Sequence, residues 1–112
     1  MIRLLCLLKR KPGMSIEEFE AYWRDRHGPL VASTRSGSHV LRYLQHPRAD
    51  HADGMGDWDG VTEQWFASSA EFFASLAEED YALIDADTHK FLDVANLQYI
   101  LTAEPRVVMG EP

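Results

Sequence analysis

The stretch Phe19-Glu20-Ala21-Tyr22-Trp23-Arg24-Asp25-Arg26-His27-Gly28-Pro29-Leu30 decides how this chain is read. Ile16, Phe19, Trp23, His27 and Leu30 recur at steps of three or four, which puts them on one face of a helix. That face is apolar except for His27. A titratable group on a core-facing stripe must be desolvated, partnered or used, so His27 is the first candidate for function. The helix has a clear start. Ser15 and Glu18 have the spacing of a capping box, and Met14 and Phe19 that of a hydrophobic staple. Pro29 disfavours helical geometry in the residue before it, which predicts a stop near His27 or Gly28.

Outward from this helix, residues 2–9 form a short apolar run that reads as a strand buried on both faces. Residues 30–38 read as a polar connector. His39 to His46 is a second strand, with Val40, Arg42 and Leu44 on one face and Leu41, Tyr43 and Gln45 on the other. Residues 47–60 form a long polar loop of the kind that can cover a site. Val61 to Phe66 is a third strand, with Val61, Glu63 and Trp65 facing one way. A second capping box at Ser68 and Glu71 opens a helix with Phe72, Phe73 and Leu76. Helical pattern resumes near Glu79 and again at Thr88 to Asp93, with Asp85 and Asp87 as expected breaks. Residues 96–101, extending toward Val108, form the last strand.

The order strand, helix, strand, strand, helix, strand predicts an α+β, ferredoxin-like βαββαβ fold. It has a four-stranded antiparallel sheet with helices on one face. One domain is expected over residues 1–108, with 109–112 as a tail. Several strands carry apolar side chains on both faces, such as Leu4 with Leu5 and Trp65 with Phe66. A homodimer through the open sheet face would bury the uncovered side.

Composition narrows the partners. The chain has 112 residues, 46% of them apolar, and a net charge of −7 with scattered basic residues, so nucleic acid is disfavoured. No run reaches membrane-span length. The N-terminal apolar stretch is too short for a signal peptide and its charges follow rather than precede it. One cysteine, Cys6, cannot form an internal disulfide, which fits a cytoplasmic protein.

The segments Phe19…Tyr22-Trp23…His27-Gly28-Pro29-Leu30, Asp59-Gly60-Val61…Glu63…Trp65-Phe66 and Asp87…Phe91-Leu92-Asp93 resemble the EthD family of the dimeric α+β barrel superfamily. The resemblance implies a ferredoxin-like protomer, a homodimer with two sheets packed as a barrel, and a pocket between sheet and helices. It does not imply one reaction. Related barrels include cofactor-free cyclases, decarboxylases, isomerases, monooxygenases and haem-degrading enzymes.

Each candidate residue has a functional and a structural reading. His27 is a general base or acid, or else a residue that caps a helix C-terminus. Tyr43 and His89 could meet developing oxygen charge; a packing tyrosine and an exposed helical histidine are the alternatives. Glu63 could orient His27 if it faces the helices. Phe19, Trp23, Trp65, Phe73 and Phe91 could line an aromatic-binding pocket, or serve as plain core. The run His46 to Asp53 matches no metal motif, so no metal is expected. Phosphate-loop, dinucleotide and CxxC motifs are absent from the sequence, so no cofactor is expected. The function expected is cofactor-independent acid–base chemistry on a small hydrophobic, aromatic or polyketide-like substrate. A monooxygenase or haem-dependent enzyme, and a non-catalytic binding protein, are the alternatives.

Overall fold

Residues 1–111 are described by a computed structural model. Pro112, part of the expected tail, lies outside the described residues. The strands are β1 (Ile2–Leu8), β2 (Arg42–Pro47), β3 (Gly60–Phe66) and β4 (Gln98–Thr102). They form one sheet in the order β2-β3-β1-β4, with every neighbouring pair antiparallel. The helices α1 (Ile16–Tyr22), α2 (Gly28–Ser33), α3 (Ser69–Ala77) and α4 (Tyr81–Phe91) pack on one face. This is the ferredoxin-like arrangement expected of the sequence.

Register fixes which side chains meet the helices. Cys6 pairs with Thr62 and Tyr99, Leu4 with Gln64 and Leu101, and Tyr43 with Gln64. Opposed residues share a face, so these point toward the helices. Arg3, Leu5, Leu44, Glu63, Trp65 and Ile100 point to the open face. There the Trp65 ring lies between two guanidinium groups, Arg3 at 4.2 Å and Arg42 at 4.9 Å.

The first helix starts as its residues dictate. Ser15 Oγ accepts from the Glu18 backbone N–H, and the Glu18 carboxylate accepts from the Ser15 N–H. Met14 packs against the cluster that contains Phe19. The predicted stop at His27 or Gly28 is not observed. A π-helical turn at Trp23–His27 leads straight into α2, which runs through Pro29 to Ser33. Two physical reasons account for this. The Gly28 N–H reaches five residues back to the Trp23 carbonyl, and Pro29 sits in the first turn of α2, where its missing N–H costs least. The inward stripe is Phe19, Trp23, His27 and Val31, a step of four throughout. A four-residue repeat drifts around a helix of 3.6 residues per turn, and the wider π winding takes up that drift. Leu30, expected inside, instead lines an outer groove against α4.

Other expectations also need correction. Residues 30–33 are helical rather than connector. Asp85 and Asp87 do not break a helix, because α4 runs unbroken from Tyr81 to Phe91. Only half of the second capping box forms. Ser68 accepts from the Glu71 N–H, but the Glu71 carboxylate turns to His39 at 2.6 Å. The 47–60 loop contributes nothing to the cavity described below. It is stapled from within by Arg48, whose guanidinium donates to the carbonyls of Ala52, Gly56 and Trp58.

Candidate active site

Phe19, Trp23, Phe91, Leu8 and Leu92 form a buried cluster where the first helix and α4 meet the sheet. Phe19 and Phe91 are fully buried, with ring centroids 5.8 Å apart. The His27 ring packs on Phe91 at 4.7 Å. Beside this cluster lies a cavity of about 490 Å³, bounded by the sheet, the first helix, α3 and α4. Its wall is largely apolar, with His27, Tyr43, Thr62, Gln64 and Ser75 among the polar side chains.

His27 is buried on the inner side of the π-helical turn. Its Nδ1 lies 2.8 Å from Asp87 Oδ2. Asp87 is itself buried and projects from the core-facing side of α4. Its other oxygen, Oδ1, accepts from the Tyr22 hydroxyl at 2.5 Å, with Lys90 Nζ at 3.9 Å. Burial alone would raise the Asp87 carboxyl. The hydrogen bonds from Tyr22 and His27, with the charge of His27 in the acid range where the carboxyl titrates and that of Lys90, outweigh it and hold the group below its ordinary value. Asp87 is therefore an ionised acceptor, and the proton of this contact sits on His27 Nδ1. Burial lowers the His27 pKa, against the pull of Asp87, so the ring is neutral at pH 7. With the proton on Nδ1, Nε2 carries the ring's lone pair, and His27 is one of the residues that line the cavity. Tyr22, meanwhile, is pushed up to about 12 by burial and by Asp87, so it stays a phenol and a donor.

Tyr43 lines the cavity from β2. Gln45 Nε2 donates to its hydroxyl at 3.1 Å and to the Trp23 carbonyl at 2.9 Å. Burial raises the Tyr43 pKa, with Gln45 and the nearby Trp23 indole pulling the other way. The indole N–H is buried with no acceptor among the described residues. Cys6 also lines the cavity; burial pushes its thiol up to about 11, which keeps it an unreactive S–H.

The sequence candidates separate cleanly by position. His27, Tyr43, Trp23 and Phe91 surround the cavity. Phe19 lies behind it, in the core. Glu63 and Trp65 sit on the opposite face of the sheet, where Trp65 Nε1 donates to Glu63 at 2.5 Å and Glu63 also meets His46 at 3.0 Å. Strand alternation puts them there, so in the protomer neither can orient His27 or line this pocket. Phe73 is 59% exposed on the outer side of α3. His89 is exposed on α4, with Nδ1 bonded to the Asp85 carbonyl one turn back. Sequence reasoning missed Asp87, Tyr22 and Gln45. Asp87 carried a usable signal: it lies three residues after Ile84 and four before Phe91, on the same stripe.

An antiparallel sheet backed by helices, with a buried His–Asp–Tyr chain beside a largely apolar cavity, defines a ferredoxin-like α+β protein. The EthD domain model matches residues 11–95, and the chain belongs to the EthD family. Solved structures with the same fold include an EthD family protein from Bacillus halodurans C-125. It is 15% identical, covers 94% of this chain and 99% of its own, and has a TM-score of 0.73. A dimeric α+β barrel family protein with a ferredoxin-like fold from Mesorhizobium loti is 16% identical, covers 94% of this chain and 97% of its own, and has a TM-score of 0.68. SnoaB, a cofactor-independent oxygenase from Streptomyces nogalater, is 12% identical, covers 96% of this chain and 95% of its own, and has a TM-score of 0.66. No curated protein matches the chain significantly. No helix among the described residues is long and apolar enough to cross a membrane.

Proposed function

We propose that the protein is a small cofactor-independent enzyme in which His27 acts as general base on a hydrophobic, enolisable or phenolic substrate. The observation that carries this reading is the buried Asp87–His27 pair at 2.8 Å, with the opposite ring nitrogen at a cavity of about 490 Å³. A neutral imidazole in an apolar site accepts a proton. The ionised carboxylate behind it holds the tautomer and stabilises the imidazolium that forms. Tyr43 meets the oxygen on which negative charge develops, a role that its position on the cavity wall supports. The imidazolium then returns the proton at another carbon or oxygen, which is the economy of a cyclase, isomerase or decarboxylase. His27→Ala, folded and tested on a substrate that the wild type turns over, should lose about 10² to 10⁴ in kcat/KM. An undiminished rate would remove His27 from the mechanism.

The same proton abstraction supports a second reading, an oxygenase, which is what the similarly folded SnoaB is. A carbanion made from an activated CH₂ can react with O₂, the carbon becoming C=O and the second oxygen atom leaving as water. Stoichiometric oxygen uptake separates the two readings. We further propose a cytoplasmic homodimer through the open sheet face. The lone thiol of Cys6 supports the compartment, and the exposed Ile100 on that sheet face supports the dimer.

A further inference from the structure

The polarity of the hydrogen bonds around Tyr43 can be worked out from one fixed point. The Trp23 carbonyl is an acceptor only. The Gln45 amide atom 2.9 Å from it must therefore be the NH₂ group, which sets the orientation of the whole amide. That same nitrogen lies 3.1 Å from the Tyr43 oxygen, so it donates there as well, and both Gln45 protons are committed. Tyr43 is then an acceptor toward Gln45. Its own proton has no protein acceptor among the described residues, although the ring is half-buried and borders the cavity. Trp23 lines the same cavity, and its indole N–H is buried and has no partner among the described residues. This corner of the cavity is thus rich in donors. Leaving a buried donor unmatched is unfavourable, and a ligand that supplies the acceptor removes that penalty.

Gly28 is part of the same device. A Cβ there would lie 3.0 Å from Gln45 Nε2, so the bare backbone of α2 lets the amide approach the Trp23 carbonyl. The sheet and the helix are joined at that point, and the join is what orients the phenol.

We infer that Gln45 is a positioning residue that fixes the Tyr43 hydroxyl as a donor into the cavity, so that the ligand must carry a ketone, quinone or enolate oxygen on an otherwise apolar frame. The inference rests on the reading above in taking this cavity as the substrate site. It adds a demand on the ligand, an acceptor oxygen at the Tyr43 corner, separate from the proton delivered to His27.

Two probes of nearly equal outline test it: 2-acetylnaphthalene, which presents a carbonyl acceptor, and 2-isopropylnaphthalene, which does not. The dissociation constant of each is measured by fluorescence titration, and the ratio of the two constants is compared between proteins. In Tyr43→Phe the ratio should shift about tenfold against the ketone relative to the wild type, the size of one net hydrogen bond. In Gln45→Met it should shift about threefold the same way, with the hydrocarbon's affinity unchanged, because Tyr43 remains but is no longer aimed. A purely packing role for Gln45 would weaken both probes equally. An unchanged ratio in Tyr43→Phe overturns the proposal, as does a wild type with no saturable ketone binding. A Gln45→Met protein that keeps the wild-type ratio removes Gln45 from it. The general-base reading is tested by a different measurement, turnover of a converted substrate by His27→Ala, in which neither probe takes part. Failure of the general-base reading is thereby read separately.

Discussion

His27 Nδ1 and Asp87 Oδ2 meet at 2.8 Å although 60 residues separate them in the chain. The contact joins the π-helical turn of the first helix to the middle of α4, and both partners are buried. Its asymmetry matters most: the carboxylate holds one side of the imidazole and the cavity has the other.

Asp87→Asn keeps the shape of this contact and removes its charge. The imidazolium loses its counter-ion, and the amide can also hold the wrong tautomer. Turnover of any confirmed substrate should fall by about 10² to 10⁴, the range of positioned acid–base groups. Thermal unfolding should show a loss of about 1–3 kcal/mol from imperfectly matched buried partners. A normal rate in a protein folded like the wild type would contradict the assigned role.

Tyr22→Phe removes one donor from Asp87. The carboxylate then concentrates its charge on His27, so the imidazole should hold its proton more tightly and titrate at higher pH than in the wild type. NMR titration of the His27 ring reads this directly. An unchanged titration would mean that the Tyr22–Asp87 hydrogen bond is not coupled to the histidine, and a shift to lower pH would contradict the predicted sign.

Two histidines should pull the pH dependence of stability in opposite directions. The folded-state pKa of His27 is lowered by burial, so the unfolded chain binds its proton first. Its contribution is full above about 6.5, the unfolded value, and is lost as pH falls below it. His39 is raised by its hydrogen bonds to Glu71 and Glu78, so its contribution is full below about 6.5 and is lost as pH rises through the higher folded value. Urea unfolding across pH 5 to 8 should therefore flatten on the alkaline side in His39→Gln. In His27→Gln it should flatten on the acid side. The same slopes in both variants and the wild type would rule out this division.

Gly60→Ala tests how closely the sheet carries the first helix. A Cβ at residue 60 would stand 2.8 Å from the Trp23 ring, with the His46 carbonyl at 3.1 Å. The ring is fully enclosed, so it cannot swing away freely. The cost expected is about 1–3 kcal/mol, typical of an overpacked core. Chemical denaturation checks it, and an unchanged midpoint would mean that Trp23 has room the packing denies.

Much of this structure is legible in the residues. Ser15 and Glu18 announce the start of the first helix because both halves of their box are local. The alternation along β3 separates Thr62 and Gln64 from Glu63 and Trp65 without any tertiary knowledge. What alternation cannot say is which set meets the helices, and so Glu63 and Trp65 look like pocket residues until the sheet is built. Pro29 misleads for a different reason. Its rule concerns an ordinary α-helix, and the π-helical turn before it removes the conflict. Asp87 is hidden because acidic residues near a helix end usually mark a break, whereas the partners that make it welcome inside, Tyr22 and His27, lie on another helix.

The alternation of β3 also divides labour along a single strand. Thr62, Gln64 and Phe66 look into the cavity, while Val61, Glu63 and Trp65 look out from the sheet. Mutational drift at the even-numbered positions can retune what is bound and leave the outer surface untouched; drift at the odd-numbered ones can remodel that surface under an unaltered chemistry.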